Sequence, residues 1–109
     1  EVSVCGPSEF TPEMVAEYDG IAFGCPAMGA EVLEESEFDP MFTSGEGSLM
    51  GKKVGLFGSY GWGDGQWMRD WQDRAVAAGA NLVMDGVMAN NEPDDAALDE
   101  CASLGTALA

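Results

Sequence analysis

Two short segments hold residue types suited to binding a flat organic ligand. The run from Ser59 to Gly65 (SYGWGDG) places two aromatic residues among three glycines, so its backbone can approach a ligand closely while the Trp62 indole offers a π face. The run from Pro26 to Glu31 (PAMGAE) follows Met28 with a glycine that can adopt the positive φ of a type II turn. From composition alone, Trp62 is as compatible with packing inside its loop as with stacking, and most Met-Gly pairs are only turns.

The ionisable residues exclude several classes of function. The 109 residues include 20 acidic and 4 basic side chains and no histidine, which gives a formal charge of −16. Four cations cannot form the basic surface that a phosphate backbone or an anionic membrane requires, so neither is expected as a partner. Without histidine the chain has no Ser-His-Asp triad, Cys-His pair or imidazole metal site, and we predict neither a catalytic residue nor a metal ligand.

Cysteine usage favours a reducing compartment. Cys5, Cys25 and Cys101 are widely spaced and include no C-x-x-C pair, so they predict neither a disulfide framework nor a metal clip, and each thiol is interpreted as core filler. The apolar runs are too short to span a bilayer and the first residues have no signal-peptide pattern. We therefore expect a cytoplasmic protein.

Short apolar runs alternate with helical patterns along the chain, which predicts a parallel sheet covered by helices on both faces. The predicted strands are Val2 to Cys5, Gly20 to Cys25, Lys52 to Gly58, and Leu82 to Met88 with an interruption at Asp85 and Gly86. The predicted helices are Thr11 to Tyr18, Glu31 to Phe38, Gln66 to a stop at Gly79, and a last helix that uses Ala97, Leu98, Cys101, Leu104 and Leu108. Pro40 is expected to prevent extension of the second helix, and the polar stretch from Thr43 to Gly51 is expected to be a loop.

The third predicted helix has the clearest pattern. Trp67, Trp71 and Ala75 recur at intervals of four residues and share one face, which predicts that they lie in the core. In parallel α/β sheets a ligand binds beyond the carboxyl ends of the strands, and both glycine-containing segments follow a predicted strand. These two segments are therefore the candidate ligand-binding loops.

The same segments resemble short-chain flavodoxins of the clostridial type. The resemblance rests on GCPAMG at Gly24 to Gly29 with EVLEE at Glu31 to Glu35, on GKKV at Gly51 with GSYGWGDG at Gly58 to Gly65, and on NEPD at Asn91 to Asp94. It covers nearly all of the chain from Gly20 onward. It implies a single, partial flavodoxin-like domain over residues 1–109 with the three-layer α/β sandwich of that family.

The resemblance further implies a low-potential one-electron carrier that holds FMN non-covalently. Trp62 would stack on one face of the isoalloxazine and Met28 would lie against the other, while the Met28-Gly29 peptide would turn its carbonyl toward flavin N5 on reduction. Glu31 would accept from N3–H, the N–H groups of Gly61 and Gly63 would address the pyrimidine oxygen and N1, and Ser59 would lie near the phosphate. The implied cofactor-binding residues are Ala27, Met28, Gly29, Ala30, Glu31, Ser59, Tyr60, Gly61, Trp62, Gly63 and Asp64.

The sequence departs from the family pattern at its start. Flavodoxins open with a strand and a loop of the type [ST]-x-[ST]-G-x-[ST] that holds the FMN phosphate at a helix N-terminus, and no counterpart precedes the predicted strand at Val2 to Cys5. Because the family sheet has the order 2-1-3-4-5, the sheet would be incomplete at its centre, and a homodimer or strand exchange could fill the gap.

Three functions are compatible with these features. The first is a flavodoxin that serves redox proteins with basic docking surfaces, since all four cations lie beyond residue 51 and residues 1–51 carry only acidic charge. The second is a truncated flavodoxin-like interaction module that does not bind FMN. The third is an FMN-dependent reductase, which the covering of both ring faces by Trp62 and Met28 disfavours.

Overall fold

The computed structural model describes residues 4–27, 33, 37–61, 65–90 and 93–108. Helices and strands alternate along most of the chain. In chain order they are α1 (Pro12–Val15), β1 (Gly20–Gly24), α2 (Phe38–Glu46), β2 (Lys53–Tyr60), α3 (Gln66–Ala77), β3 (Asn81–Leu82), β4 (Val87–Asn90) and α4 (Asp95–Leu108). The alternation predicted from the sequence is confirmed, and the chain forms an α/β parallel sheet flanked by helices.

Strand β2 lies at the centre of the described sheet. One edge of β2 pairs in parallel with β1, with Gly20 opposite Lys53 and Gly24 opposite Phe57. The other edge pairs in parallel with β3 beside Lys53 and Val54, and with β4 from Phe57 to Tyr60. Strands β3 and β4 are thus the two halves of the strand that the sequence predicted to be interrupted at Asp85 and Gly86.

The main core lies between the sheet and helices α2 and α3. Apolar runs in β1 and β2 supply one side of it, because alternate side chains of a strand point to the same face. Phe23 of β1 meets Phe42 of α2 edge-on, with ring centroids 5.1 Å apart, and Phe42 meets Trp71 of α3 at 5.8 Å. The residues of this cluster with at most 2% exposure are Val15, Phe42, Leu49, Val54, Leu56, Trp67, Met68, Trp71 and Ala75.

Helix α4 covers the opposite face only in part. It lies close to the sheet at the beginnings of the strands, where Leu108 packs over Gly20 and Leu104 packs over Gly55. A Cβ on residue 20 would lie 2.8 Å from the backbone O of Leu108, whereas a Cβ on residue 55 would meet the side chain of Leu104. Toward the ends of the strands this face opens, since Phe57 is 40% exposed and Leu98 is 53% exposed.

Helix α3 agrees with its sequence pattern. Trp67, Trp71 and Ala75 are buried as predicted. The helix begins after Gly65, which has a φ of 91°, and stops before Gly79, which has a φ of 87°. Both conformations are left-handed and favour glycine over residues with a Cβ.

The prediction of a loop from Thr43 to Gly51 is wrong over its first part. Residues Thr43 to Glu46 complete α2, and Pro40 lies in the first turn of that helix instead of preventing it. A proline is tolerated there because the first N–H groups of a helix have no intrahelical acceptor. Burial of Phe38 and Phe42 against α3 and β1 offsets the weak helix propensity of the segment.

Other boundaries also differ from the sequence predictions. Val4 and Cys5 belong to no strand and are exposed, Val4 by 93%, whereas Val2 lies outside the described residues. The first helix ends at Val15 instead of Tyr18, and Thr11 occupies its N-cap without a side-chain hydrogen bond. Most of the helix predicted from Glu31 to Phe38 lies outside the described residues.

Two further sequence predictions, for Leu33 and for the apolar side chains of α4, are corrected by the structure. Leu33 is buried but is not helical, although the sequence predicted it within the second helix. Cys101 and Leu98 of α4 are exposed, so only Ala97 and Leu104 of the five predicted apolar contacts of that helix are buried.

Candidate functional site

Three connecting segments leave the sheet side by side at the carboxyl ends of its strands. The backbone N–H of Cys25 donates to Phe57 O at 3.0 Å, and the N–H of Ala27 donates to Ser59 O at 2.9 Å. These bonds extend the pairing of β1 with β2 beyond the regular strand. The two segments that the sequence identified as candidate ligand-binding loops therefore start next to each other.

The connection after β4 joins the same edge. Asn90 lies opposite Tyr60 in the parallel register, and its side-chain Nδ2 donates to Tyr60 O at 3.3 Å. Helix α4 then starts after Asp94, whose Oδ1 accepts from the backbone N–H of Ala97 at 2.8 Å. This N-cap bond fixes the direction in which the chain leaves the edge.

The structure describes only some of the predicted site residues. Ala27 is half-buried directly after β1, Ser59 and Tyr60 are the last residues of β2, and Gly61 is exposed just beyond them. The predictions for Met28, Gly29, Ala30, Glu31, Trp62, Gly63 and Asp64 lie outside the described residues. The described members thus mark the starting points of both loops.

The junction between the two loops is tightly built. The Trp67 Nε1 group donates to Cys25 O at 3.3 Å, and the Trp67 ring lies 5.5 Å from the ring of Tyr60. A Cβ on Gly58 would overlap Cys25 O, so the backbones of β1 and β2 approach closely only because residue 58 is glycine. The loop starts consequently have little room to shift relative to each other.

An apolar groove of about 370 Å³ opens beside this edge on the α4 face of the sheet. Its walls come from the ends of β1, β2 and β4 and from the first turns of α4. They are formed by Gly24, Cys25, Pro26, Phe57, Gly58, Ser59, Val87, Ala89, Pro93, Ala97 and Cys101. Apolar walls and a few hydroxyl and backbone groups are typical of cofactor sites. The contribution of α4 was not predicted from the sequence, although the motif at Asn91 to Asp94 was a signal for it.

Positive charge lies mostly away from this edge. Lys52 precedes β2 and its Nζ donates to Tyr18 O at 2.6 Å, and Lys53 is the first residue of β2, at the opposite end from Tyr60. Arg74 is paired with carboxylates of α2, whereas Arg69 lies in the first turns of α3 and donates to Gln66 Oε1 at 2.8 Å. Arg69 is thus the cation that follows the second loop most closely in the sequence.

Within the described ranges, no group of three or more cysteine, aspartate or glutamate side chains is arranged to hold a metal ion. None of the helices found in those ranges is long and apolar enough to cross a membrane.

The parallel sheet, the helices on its two faces and the adjoining loops at its carboxyl edge define a flavodoxin-like α/β protein. A family model described as flavodoxin matches residues 2–105. The chain therefore belongs to the flavodoxin family.

Individual relatives agree with this assignment. The chain is 43% identical over 109 residues to a flavodoxin of Clostridium beijerinckii. The match covers 100% of this chain and 78% of the relative. It is 50% identical over 95 residues to a flavodoxin of Megasphaera elsdenii, covering 87% of this chain and 67% of the relative. The resemblance to clostridial-type flavodoxins is thereby confirmed.

Solved structures extend the agreement to the fold. The solution structure of two-electron reduced Megasphaera elsdenii flavodoxin matches 94% of this chain and 72% of its own, with a TM-score of 0.84 and 46% identity. A flavodoxin from an archaeon matches with a TM-score of 0.76 at 24% identity, which supports the fold alone.

Membership of this family settles the class of function. The chain is an FMN-binding electron carrier and not an enzyme. The comparisons give no support to an interaction module that does not bind FMN.

Proposed function

We propose that the chain carries single electrons at low potential on an FMN whose ring lies between the loops that follow β1 and β2. The observation that carries this proposal is the hydrogen bond from Ala27 N to Ser59 O, because it brings the starts of the two loops together. Bound FMN supplies the redox chemistry, since its ring can accept and release one electron at a time. The protein supplies the position and the surroundings of the ring.

Each loop has a distinct part in this proposal. Trp62 stacks on one face of the ring and Met28 covers the other, so that water is excluded from both faces. Glu31 accepts from N3–H, and the N–H groups of Gly61 and Gly63 donate to the pyrimidine end. The Met28-Gly29 peptide can turn its carbonyl toward a proton held at N5, because glycine makes the turned conformation accessible.

The remaining loop residues are assigned supporting positions. Ala27 and Ala30 flank the Met28-Gly29 peptide, Tyr60 and Asp64 belong to the second loop, and Ser59 faces the phosphate side of the groove. The groove beside Ser59 supports this assignment because it is open and reaches the ends of three strands.

The low reduction potential proposed for the flavin follows from the negative charge of the chain. The chain has a formal charge of −16, and reduction to an anionic ring among carboxylates is unfavourable. Lys53 lies at the other end of β2, about 23 Å from Tyr60 for an extended strand of this length, and Lys52 precedes it. Arg69 alone of the four cations follows the second loop directly, and it offsets a part of this unfavourable field.

Ser59 is the one residue assigned to the phosphate end of FMN. The relatives contain more than the matched region, because this chain covers 78% and 67% of their lengths, and the hydroxyl-rich loop expected from the family has no counterpart in residues 1–109. Ring binding and phosphate binding therefore have to be tested separately.

Titration with two flavins makes that separation. Purified apoprotein of verified intact mass is titrated with FMN and with riboflavin, which lacks the phosphate, and flavin fluorescence is followed. We expect quenching at one flavin per chain for both ligands. Trp62→Ala should weaken both by about tenfold to a hundredfold, since stacking on an aromatic side chain is worth about 1–3 kcal/mol.

A matched tryptophan control and a clear contrary result complete the test. Trp71→Phe changes an indole that is buried in the core away from the loops, and it should leave the affinity for riboflavin unchanged. Absence of quenching for both flavins at millimolar concentration would refute the ring site. Equal affinities for riboflavin and FMN would show that the phosphate contributes nothing in this chain.

Partners are proposed from charge and from the sheet edge. Residues 1–51 carry only acidic charge, so we propose that the chain docks to redox proteins through their basic surfaces.

No strand among the described residues pairs with the outer edge of β1, and an unpaired edge can accept another strand. We propose that a second copy of the chain fills this edge by homodimerisation or strand exchange, and sedimentation analysis tests this.

We also propose that the protein works in the cytoplasm.

A further inference from the structure

Helix α3 begins directly after the second of the two loops, and α2 is the first described helix after the first loop. Helix α2 starts at Phe38, which follows the segment that contains Met28 to Glu31, and α3 starts at Gln66, after the segment that contains Trp62. A change in the spacing of the two helices would therefore be passed to the attachment points of both loops. What holds α2 to α3 is consequently relevant to the ring site.

Arg74 of α3 spans one face of α2. Its Nη1 donates to Asp39 Oδ1 at 2.9 Å, its Nη2 donates to Thr43 Oγ1 at 2.6 Å, and its Nε donates to Glu46 Oε2 at 3.0 Å. Asp39, Thr43 and Glu46 are separated by four and three residues, so they follow each other along the same helix face. A single guanidinium thus makes hydrogen bonds to α2 from its first turn to its last residue.

The Arg74 guanidinium also contacts an aromatic ring of α2. The Arg74 Cζ lies 4.9 Å from the centroid of the Phe42 ring, in cation–π contact. The Arg74 side chain is 29% exposed, so the interactions are only partly screened by solvent. The hydrogen bond to Glu46 raises the pKa of Arg74, burial opposes this rise, and the hydrogen bond to Asp39 adds to it.

We propose that Arg74 is a positioning residue that sets the spacing of α2 and α3 and thereby the separation of the two ring-binding loops. The inference rests on the proposed function, because it concerns the geometry of the same flavin site. The fork shape of the guanidinium is essential to it, since two carboxylates, a hydroxyl and a ring are contacted at once. A lysine at this position keeps the charge but cannot make all of these contacts.

The net charge strengthens the requirement for this residue. Asp39 and Glu46 lie on one face of α2 in a chain that carries 20 acidic side chains. Without Arg74 the two carboxylates would face α3 with no cation between them, and their repulsion from the acidic protein would favour movement of α2 outward.

Hydrogen exchange of the apoprotein tests the proposal without any flavin. In Arg74→Met the amides of residues 28–36 and 61–65 should exchange about fivefold faster, while those of β2 and α4 stay protected. Lys53→Met is the matched control, because it removes one charge from an exposed side chain at the opposite end of β2 and should leave both loops unchanged. Equal exchange in the two variants would overturn the proposal.

Global stability is separated from local positioning by two further variants. Leu104→Ala weakens the core on the α4 face, and at equal loss of stability it should not accelerate exchange selectively in the two loops. Arg74→Lys, which disturbs packing less than Arg74→Met, should give intermediate exchange rates; rates equal to those of the unaltered protein would contradict the role of the fork.

Flavin binding then connects the spacing to the site. Riboflavin should bind Arg74→Met about threefold to tenfold more weakly, Arg74→Lys at an intermediate level and Lys53→Met as tightly as the unaltered protein. Failure of the unaltered protein to bind riboflavin would refute the ring site. Hydrogen exchange would then be the measurement that tests whether Arg74 positions the two loops. Unchanged exchange and affinity in Arg74→Met, in a protein that does bind riboflavin, would refute the role of Arg74 alone.

Discussion

Replacement of Gly58 by alanine should force β1 and β2 apart at the carboxyl edge of the sheet, where we propose the flavin site. A Cβ at this position would overlap the carbonyl oxygen of Cys25, and it would stand 3.0 Å from Cys25 C and 3.2 Å from Trp67 Cζ2. The carbonyl is part of the backbone and is held by Trp67 Nε1, so no side-chain rotation can relieve the overlap. We expect the two backbones to separate by roughly 1 Å to accommodate one methyl group.

The cost of this separation follows from its parts. Overpacking against a backbone atom lies at the upper end of the usual range, about 3 kcal/mol. Loss of the bond from Trp67 to Cys25 adds about 1 kcal/mol, and the smaller conformational entropy of unfolded alanine returns about 1 kcal/mol. The free energy of unfolding should therefore fall by about 3 kcal/mol, which corresponds to a decrease in Tm of about 12 °C for a domain of this size.

Urea and thermal unfolding followed by circular dichroism and tryptophan fluorescence measure this effect. Gly105→Ala is the matched control, because residue 105 is exposed in α4 and an added Cβ meets no atom within 4 Å. That variant should gain about 1 kcal/mol from helix propensity. If Gly58→Ala unfolds within 1 kcal/mol of the unaltered protein, a figure well below the overpacking range, the close approach of β1 and β2 is not as tight as described.

Three further predictions concern redox behaviour, docking and thiols. Gly29→Ala should bring the two one-electron potentials of the FMN-loaded protein closer together, since the turned Met28-Gly29 peptide becomes less favourable by about 1 kcal/mol; potentials with unchanged separation in a redox titration would argue against this turn. Electron transfer to a basic partner should slow as ionic strength rises from about 0.01 to 0.15 M, because the Debye length falls from about 30 to 8 Å, and a salt-independent rate would exclude docking by charge. Cys5 and Cys101 are exposed and should react with a thiol reagent in the folded protein, whereas Cys25 is buried and should react only on unfolding; three fast thiols would contradict this burial.

Strands β1 and β2 and helix α3 could be predicted because their signals are local. Continuous apolar runs gave β1 and β2 almost to the residue, and a four-residue spacing of Trp67, Trp71 and Ala75 gave the buried face of α3. Helix α2 could not be found in this way. Its proline and its Thr43-Ser44-Gly45 run favour other structures, and its stability comes from contacts with residues about thirty positions away, such as that of Asp39 with Arg74.

The site shows the same division between local and distant information. Glycine and aromatic residues after two strands were visible in the sequence, and the hydrogen bond from Ala27 to Ser59 agrees with their expected proximity. The groove wall formed by α4 and the hydrogen bonds from Arg74 to α2 depend on how separate elements pack. No spacing within a single segment encodes such contacts, so a single sequence could not give them.

The central place of β2 has a consequence for how the protein folds. All three strand pairings described above include β2, and its partners β1 and β4 each lie roughly thirty residues away along the chain. Each pairing therefore requires closure of a long loop before any ladder bond forms, which makes parallel sheets slow to assemble. Substitutions that weaken β2 should slow folding, whereas those confined to α4 should mainly accelerate unfolding.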